Sequence, residues 1–237
     1  TVRRDGSSRF GENNKWGTFP SAAVAWNITN EEFMESSQSW LNNLKLRISY
    51  GVTGNQDGIG EYKSLSILGV GQDSYYDPAS DSWSLAYSPT QNANPDLKWE
   101  STAQTNIGLD FTVFKGLSGS VEFYSKLTSD LLYTYEVPQP PYLVGTMLAN
   151  VGDLSNKGYE ITLNADIINN DKFTLNANLT FAQNKQKIEK LSNDQYDTNG
   201  VIYSGSLHGL AGMSGQYAQV IAEGYPVGTF WGYECYG

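Results

Sequence analysis

The sequence predicts an all-β chain, an antiparallel transmembrane β-barrel present in part. Two observations carry that prediction. Apolar and polar residues alternate with a period of two over stretches close to the ~9 to 11 residues of a tilted barrel strand, which is how a strand divides its side chains between two faces. Minimal turns also alternate with long connections, the asymmetry expected between the two rims of an outer-membrane barrel.

Taken in order, Ala22, Val24 and Trp26 mark a strand around Phe19 to Asn27. A short helix is expected from about Asn30 to Ser37, where Thr29 and Glu32 have capping-box spacing. Leu44, Leu46, Ile48, Tyr50 and Val52 then oppose Asn43, Lys45, Arg47, Ser49 and Thr53, and Glu61 to Leu68 is a weaker strand. Gly69 to Lys98 reads as a long loop. From Asn106 to Phe114, Ile107, Leu109, Phe111 and Val113 share one face; after the turn Lys115-Gly116 the phase resumes with Val121, Phe123 and Leu127. Glu136 to Asn156 reads as a second long loop. Tyr159 to Ile167 and Phe173 to Phe181 form another hairpin about the turn Asn169-Asn170-Asp171, whose residue types favour tight turns. The chain after Leu191 reads as irregular.

The alternation assigns faces. Ile107, Leu109, Phe111, Leu163 and Leu175 are expected to meet lipid, and Asp110, Glu122, Asn164 and Asn176 to face the lumen. A soluble antiparallel sandwich also alternates, with its apolar side in a core. The barrel is preferred because the opposing faces carry Asn, Asp, Glu, Lys, Arg and Thr with little relief. Trp26, Tyr50, Trp99 and Tyr133, near strand ends, are candidates for interfacial girdles.

Composition narrows the function. A formal net charge of -10 argues against a nucleic-acid partner, which would need a basic surface. The mean hydropathy of -0.43 and the lack of a long apolar run exclude a spanning helix but not barrel strands. Cys235 is the sole cysteine and His208 the sole histidine, so neither an internal disulfide, a zinc site nor a serine triad is expected, and the chain is read as a non-enzyme without cofactor or metal.

Several motifs occur in a specific order: Arg4-Asp5-Gly6-Ser7-Ser8-Arg9-Phe10-Gly11, Asn14-Lys15-Trp16-Gly17-Thr18-Phe19-Pro20-Ser21, Leu44-Lys45-Leu46-Arg47-Ile48-Ser49-Tyr50-Gly51 and Gly54-Asn55-Gln56. Asn94-Pro95-Asp96-Leu97-Lys98-Trp99-Glu100, Asn150-Val151-Gly152, Asn156-Lys157-Gly158-Tyr159-Glu160 and Gly224-Tyr225-Pro226-Val227-Gly228 follow. Nearly end to end, this series resembles the barrel of the SusC/RagA family of TonB-dependent outer-membrane receptors. The resemblance implies the cell outer membrane of a Bacteroidetes-type bacterium. It also implies import of oligosaccharides or peptides, a SusD-like surface lipoprotein acting as a lid, and energy delivered through the TonB complex. Residues 1–237 are expected to be barrel only, cut at both ends, with plug and N-terminal domains absent. About seven or eight strands are legible against the ~22 of a plugged barrel, so the segment alone is not expected to transport.

Within that frame, Tyr75, Tyr76, Asp77, Asp81, Trp83 and Tyr87 combine aromatic platforms with hydrogen-bonding groups and are the ligand-facing candidates, unless they pack the loop against its neighbours or the lid. Tyr133, Tyr135 and Tyr142, beside Pro138, Pro140 and Pro141, pose the same choice. The alternatives are a siderophore or cobalamin receptor and a soluble carbohydrate-binding β-sandwich.

Overall fold

The computed structural model describes residues 1–114, 116–192, 198–207 and 214–232, without the side chains of 71–73. Lys115, His208 and Cys235 lie outside the described residues. The strands are β1 Val2–Gly6, β2 Trp16–Asn27, β3 Leu41–Asn55, β4 Ile67–Asp77, β5 Ser82–Gln91, β6 Glu100–Val113, β7 Leu117–Glu136, β8 Thr146–Asn170, β9 Phe173–Lys190, β10 Val201–Ser206, β11 Tyr217–Ala222 and β12 Thr229–Phe230. One seven-stranded antiparallel sheet runs in the order β1-β2-β3-β6-β7-β8-β9. It is open, with β1 and β9 at its edges.

Two of the three connections at one rim are minimal turns. Residues 28–40 join β2 to β3, residues 114–116 join β6 to β7, and Asp171 and Lys172 join β8 to β9. Asn170 Oδ1 closes the last turn by accepting from the amides of Lys172 at 3.0 Å and Phe173 at 2.9 Å. The other rim carries residues 7–15, 56–99, 137–145 and the chain after Lys190. The two minimal turns predicted from sequence therefore share one rim and the long excursion 56–99 lies at the other, while the link 28–40 departs from the pattern, being longer than 7–15 or 137–145.

Several local expectations need correction. Gly69 to Lys98 is not an open loop, because β4 and β5 pair within it as a separate hairpin. Glu136 to Asn156 shrinks to residues 137–145, since β7 and β8 continue pairing to Glu136 and Thr146. Bulges after Thr128 break the alternation there and hide those strand extensions from a period-two reading. Glu61 to Ser64 is a turn and the strand starts only at Ile67. The helix is two 3-10 turns, Ile28–Asn30 and Glu32–Ser37, with no side-chain cap. Thr29 Oγ1 instead accepts from the Leu44 amide at 3.4 Å, so the capping box does not form.

Register fixes the faces. Trp26, Leu46, Leu109, Val121, Ile161 and Phe181 lie in one cross-strand row, and Val24, Ile48, Ile107, Phe123 and Tyr159 in the next. Directly opposed residues share a face, so the apolar sets of successive strands join into one continuous surface. A bulge near Ile167 preserves this, seating Ile168 rather than Ile167 opposite Leu175. Among the described residues no layer covers the surface: Ile107 is 44% exposed, Phe123 49% and Leu179 60%. That overturns the sandwich alternative, in which these side chains would form a core. On β2 the exposed indoles of Trp16 and Trp26 bracket the outward residues Thr18, Pro20, Ala22 and Val24. Trp26 and Tyr50 keep the exposure expected of girdle residues, but Trp99 does not, being stacked on Phe10 at 4.6 Å and Phe19 at 5.6 Å.

The buried hydrophobic clusters gather at the long-loop rim, with Leu41 and Thr29 buried singly at the other. Phe10, Ile59 and Leu97 pack with Trp99, Leu132 and Leu148; Tyr135, Met147, Ala149 and Val151 form a second cluster; Ile188, Leu191 and Ile202 a third, with Leu154 and Ile221. The motifs quoted above build this rim. Asn150 Nδ2 donates to the carbonyls of Lys98 at 2.7 Å and Asp130 at 2.8 Å, and its Oδ1 accepts from the Lys98 amide at 2.9 Å. Asn94 Nδ2 donates to Leu148 O at 2.7 Å. A side chain at Gly11 would fall 1.7 Å from Pro95 O, so only glycine lets that loop close on the Asn94–Leu97 segment.

Candidate functional site

Two surfaces carry chemistry-bearing side chains. The first is the polar face of the sheet. Arg47, on β3, reaches across β6: Nε donates to Asp110 Oδ2 at 2.7 Å, Nη2 to Asp110 Oδ1 at 2.8 Å, and Nη2 also to Glu122 on β7. Gly108 stands in the row between Arg47 and Glu122, and a Cβ there would lie 3.0 Å from the guanidinium. The glycine gives the arginine its path. Charge is held in the wall by a bidentate pair plus a second carboxylate, the geometry in which Arg outperforms Lys.

Asp110 and Glu122 are thus brought together. Asn164 and Asn176 lie on the same face farther along β8 and β9: Asn178 Nδ2 donates to Asn164 Oδ1, and Asn176 stands opposite Asp166. Toward the long-loop rim, a depression of about 720 Å³ is lined by Ser21, Ala23, Ser49, Gly51, Gln104 and Asn106, among others. It exists because β2 and β3 carry small residues there. Hydroxyls and amides dominate its lining, which suits reversible hydrogen bonding.

The second surface is the β4–β5 hairpin, which gathers the six candidates chosen from sequence. Tyr76 and Trp83 are cross-strand partners with ring centroids 5.6 Å apart, edge to face. Leu85 and Tyr87 follow on the same face as Trp83, opposite Ser74 and Val70. Tyr75 points to the other face. Asp77 and Asp81 shape the turn: Asp77 accepts from Ala79 N at 3.0 Å and Ser80 Oγ at 2.8 Å, and Tyr76 donates to Asp81. The Ser80 hydroxyl and then the Ala79 amide hold Asp77 below the usual carboxylate range, while the Asp81 bond pushes the Tyr76 phenol up. Trp83 is 70% exposed and Tyr87 67%. The hairpin thus presents an uncovered aromatic stripe.

Of the other tyrosines, Tyr135 is buried and donates to Leu191 O at 3.2 Å, and Tyr142 packs beside it. They tie down the rim. Sequence reasoning did not single out Arg47, because its partners lie 63 and 75 residues away and only register joins them.

An open antiparallel sheet with one continuous exposed apolar face, one charged face and unequal rims defines a segment of outer-membrane β-barrel wall. The chain belongs to the TonB-dependent receptor-like β-barrel family, whose model matches residues 1–233. It is 36% identical over 239 residues to the TonB-dependent receptor P39 of Formosa agariphila, covering 100% of this chain and 20% of the relative. To the TonB-dependent receptor SusC of Bacteroides thetaiotaomicron it is 32% identical over 235 residues, 99% of this chain and 23% of SusC. The solved RagAB peptide transporter superimposes with a TM-score of 0.77 at 31% identity, covering 97% of this chain and 23% of that one. The chain therefore spans between a fifth and a quarter of the length of these relatives.

Proposed function

We propose that the full-length protein is a TonB-dependent importer that takes up oligosaccharides or peptides across the outer membrane with a SusD-like surface lipoprotein as its lid. One observation carries the reading: a sheet that exposes apolar side chains on one face and an Arg47–Asp110–Glu122 network on the other is built for lipid outside and water inside. Asp110, Glu122, Asn164 and Asn176 then line the lumen, the short turns face the periplasm, and residues 56–99 and 137–145 face outward. The β4–β5 aromatic stripe meets ligand or lid there. Nothing in this wall calls for covalent chemistry, and transport belongs to the closed, full-length barrel. The likeness to the RagAB peptide importer supports the peptide reading, whereas the oligosaccharide reading and the lipoprotein lid rest on the resemblance of the ordered motifs to the SusC/RagA family.

The test is uptake. Cells lacking the gene should lose growth on at least one oligosaccharide or peptide mixture, and tagged full-length protein should recover a surface lipoprotein. Tyr76→Ala with Trp83→Ala should cut uptake about tenfold or more, as expected when stacking aromatics worth ~1 kcal/mol each are removed from a contact. Unchanged growth on every such substrate and no bound lipoprotein would contradict the proposal.

A further inference from the structure

The outward face of β8 and β9 changes character at one level. Ile161 opposite Phe181 and Leu163 opposite Leu179 are apolar, and Tyr159, opposite Gln183, ends the apolar stretch toward the long-loop rim. The next outward position is Lys157, paired directly with Lys185, and Lys187 follows on the same face opposite Ser155. The outward stretch from Tyr159 to Ile168 is ~30 Å along the strand at ~3.3 Å per residue. Projected for a tilt of ~40 to 45°, that is ~22 Å, close to the ~25 Å apolar band of outer-membrane barrels. The lysines therefore sit at headgroup depth.

We propose that Lys157, Lys185 and Lys187 form a binding site for the phosphate groups of an outer-leaflet lipid whose acyl chains lie on Tyr159, Ile161 and Phe181. The assignment rests on the membrane placement proposed above. Charge argues for an anion: like charges directly opposed across strands are destabilising, and Lys157, whose two cross-strand partners are Ser125 and Lys185, makes no ion pair among the described residues. The acidic groups on this side do not remove the excess. Glu189 takes Lys187 Nζ at 2.7 Å and Ser155 Oγ at 2.7 Å, and Asp153 stands opposite Lys190 beyond it. Continuity with the apolar surface selects a lipid over a free anion. A phosphorylated headgroup bridging Lys157 and Lys185 converts their repulsion into two charge-assisted contacts.

The experiment uses the full-length protein in detergent, with native mass spectrometry reading adducts of lipid A carrying its phosphates and of lipid A stripped of them. Relative to wild type, K157Q/K185Q should bind the phosphorylated lipid about thirtyfold less tightly, at ~1 kcal/mol per basic residue near an anionic surface. Both proteins should bind the stripped lipid alike, and K157R/K185R should behave as wild type. Equal retention of phosphorylated lipid by wild type and K157Q/K185Q overturns the site. Displacement of the lipid by equimolar inorganic phosphate overturns the lipid assignment. If the double variant fails to fold, judged by heat-modifiable gel mobility, K157Q and K185Q taken singly should each cost about fivefold, and no loss in either refutes the proposal. Because the protein is in detergent, failure of the import reading is scored separately, by uptake.

Discussion

Leu163 and Asn164 are neighbours on β8 that face opposite sides of the sheet: Leu163 pairs with Leu179 on the apolar side, and Asn164 with Asn178 on the polar side. A lysine at Leu163 should cost ~2 to 4 kcal/mol if the site lies near mid-bilayer, and one at Asn164 much less. Reversible folding of the full-length barrel into liposomes measures both, and equal costs would refute the assigned faces. Asp77 supplies a pH prediction. Its folded pKa is depressed by Ser80 and Ala79, so its contribution to the hairpin turn is present above the ordinary aspartate pKa and is lost as pH falls through the lower folded value. Fluorescence of Trp83 should shift in that acidic window, and Asp77→Asn should remove the transition.

Elements were legible wherever alternation ran unbroken. The faces of β3, β6, β7 and the lower parts of β8 and β9 follow from residues such as Ile107 and Asp110, because a half-exposed strand must segregate its side chains. The outer extensions of β7 and β8 were not legible, since the bulges after Thr128 shift the phase and Tyr135 and Met147 are buried by rim packing that no local period encodes. The β4–β5 hairpin was hidden by its own bulge between Val70 and Ser74 and by the serines facing Tyr75 and Leu85 across the strands and flanking Trp83. Its six candidate residues were found by type rather than by geometry. The Asn motifs were recognised as a pattern, and the structure supplies their reason: they hydrogen-bond segment 92–98 to β8. Asn150→Ala should cost about 1 kcal/mol by removing three hydrogen bonds to part-buried backbone groups. Faster protease cleavage within residues 92–98 of the full-length protein would report it, and an unchanged cleavage rate would contradict it.

At the scale of the whole molecule, the two faces and the two rims make one claim. In the proposed placement the sheet sorts water from lipid, and the rim with the two minimal turns faces the periplasm while the rim with residues 56–99 faces outside. The interior fits this: the polar face needs no apolar filling, and the buried hydrophobic clusters gather where the long connections fold over the rim. Family membership was legible because ordered motifs survive as rim-building contacts. Arg47 escaped notice because closing its network needs strands whose partners are set by register rather than by neighbours in the chain. The most direct measurement is labelling by a membrane-impermeant maleimide on intact cells making the full-length protein, with single cysteines introduced at Ser80, in the β4–β5 turn, and at Asn170, in the β8–β9 turn. The account predicts rapid labelling at Ser80 and protection at Asn170 until the outer membrane is permeabilised. Equal labelling of the two on intact cells, or the reverse order, would contradict it.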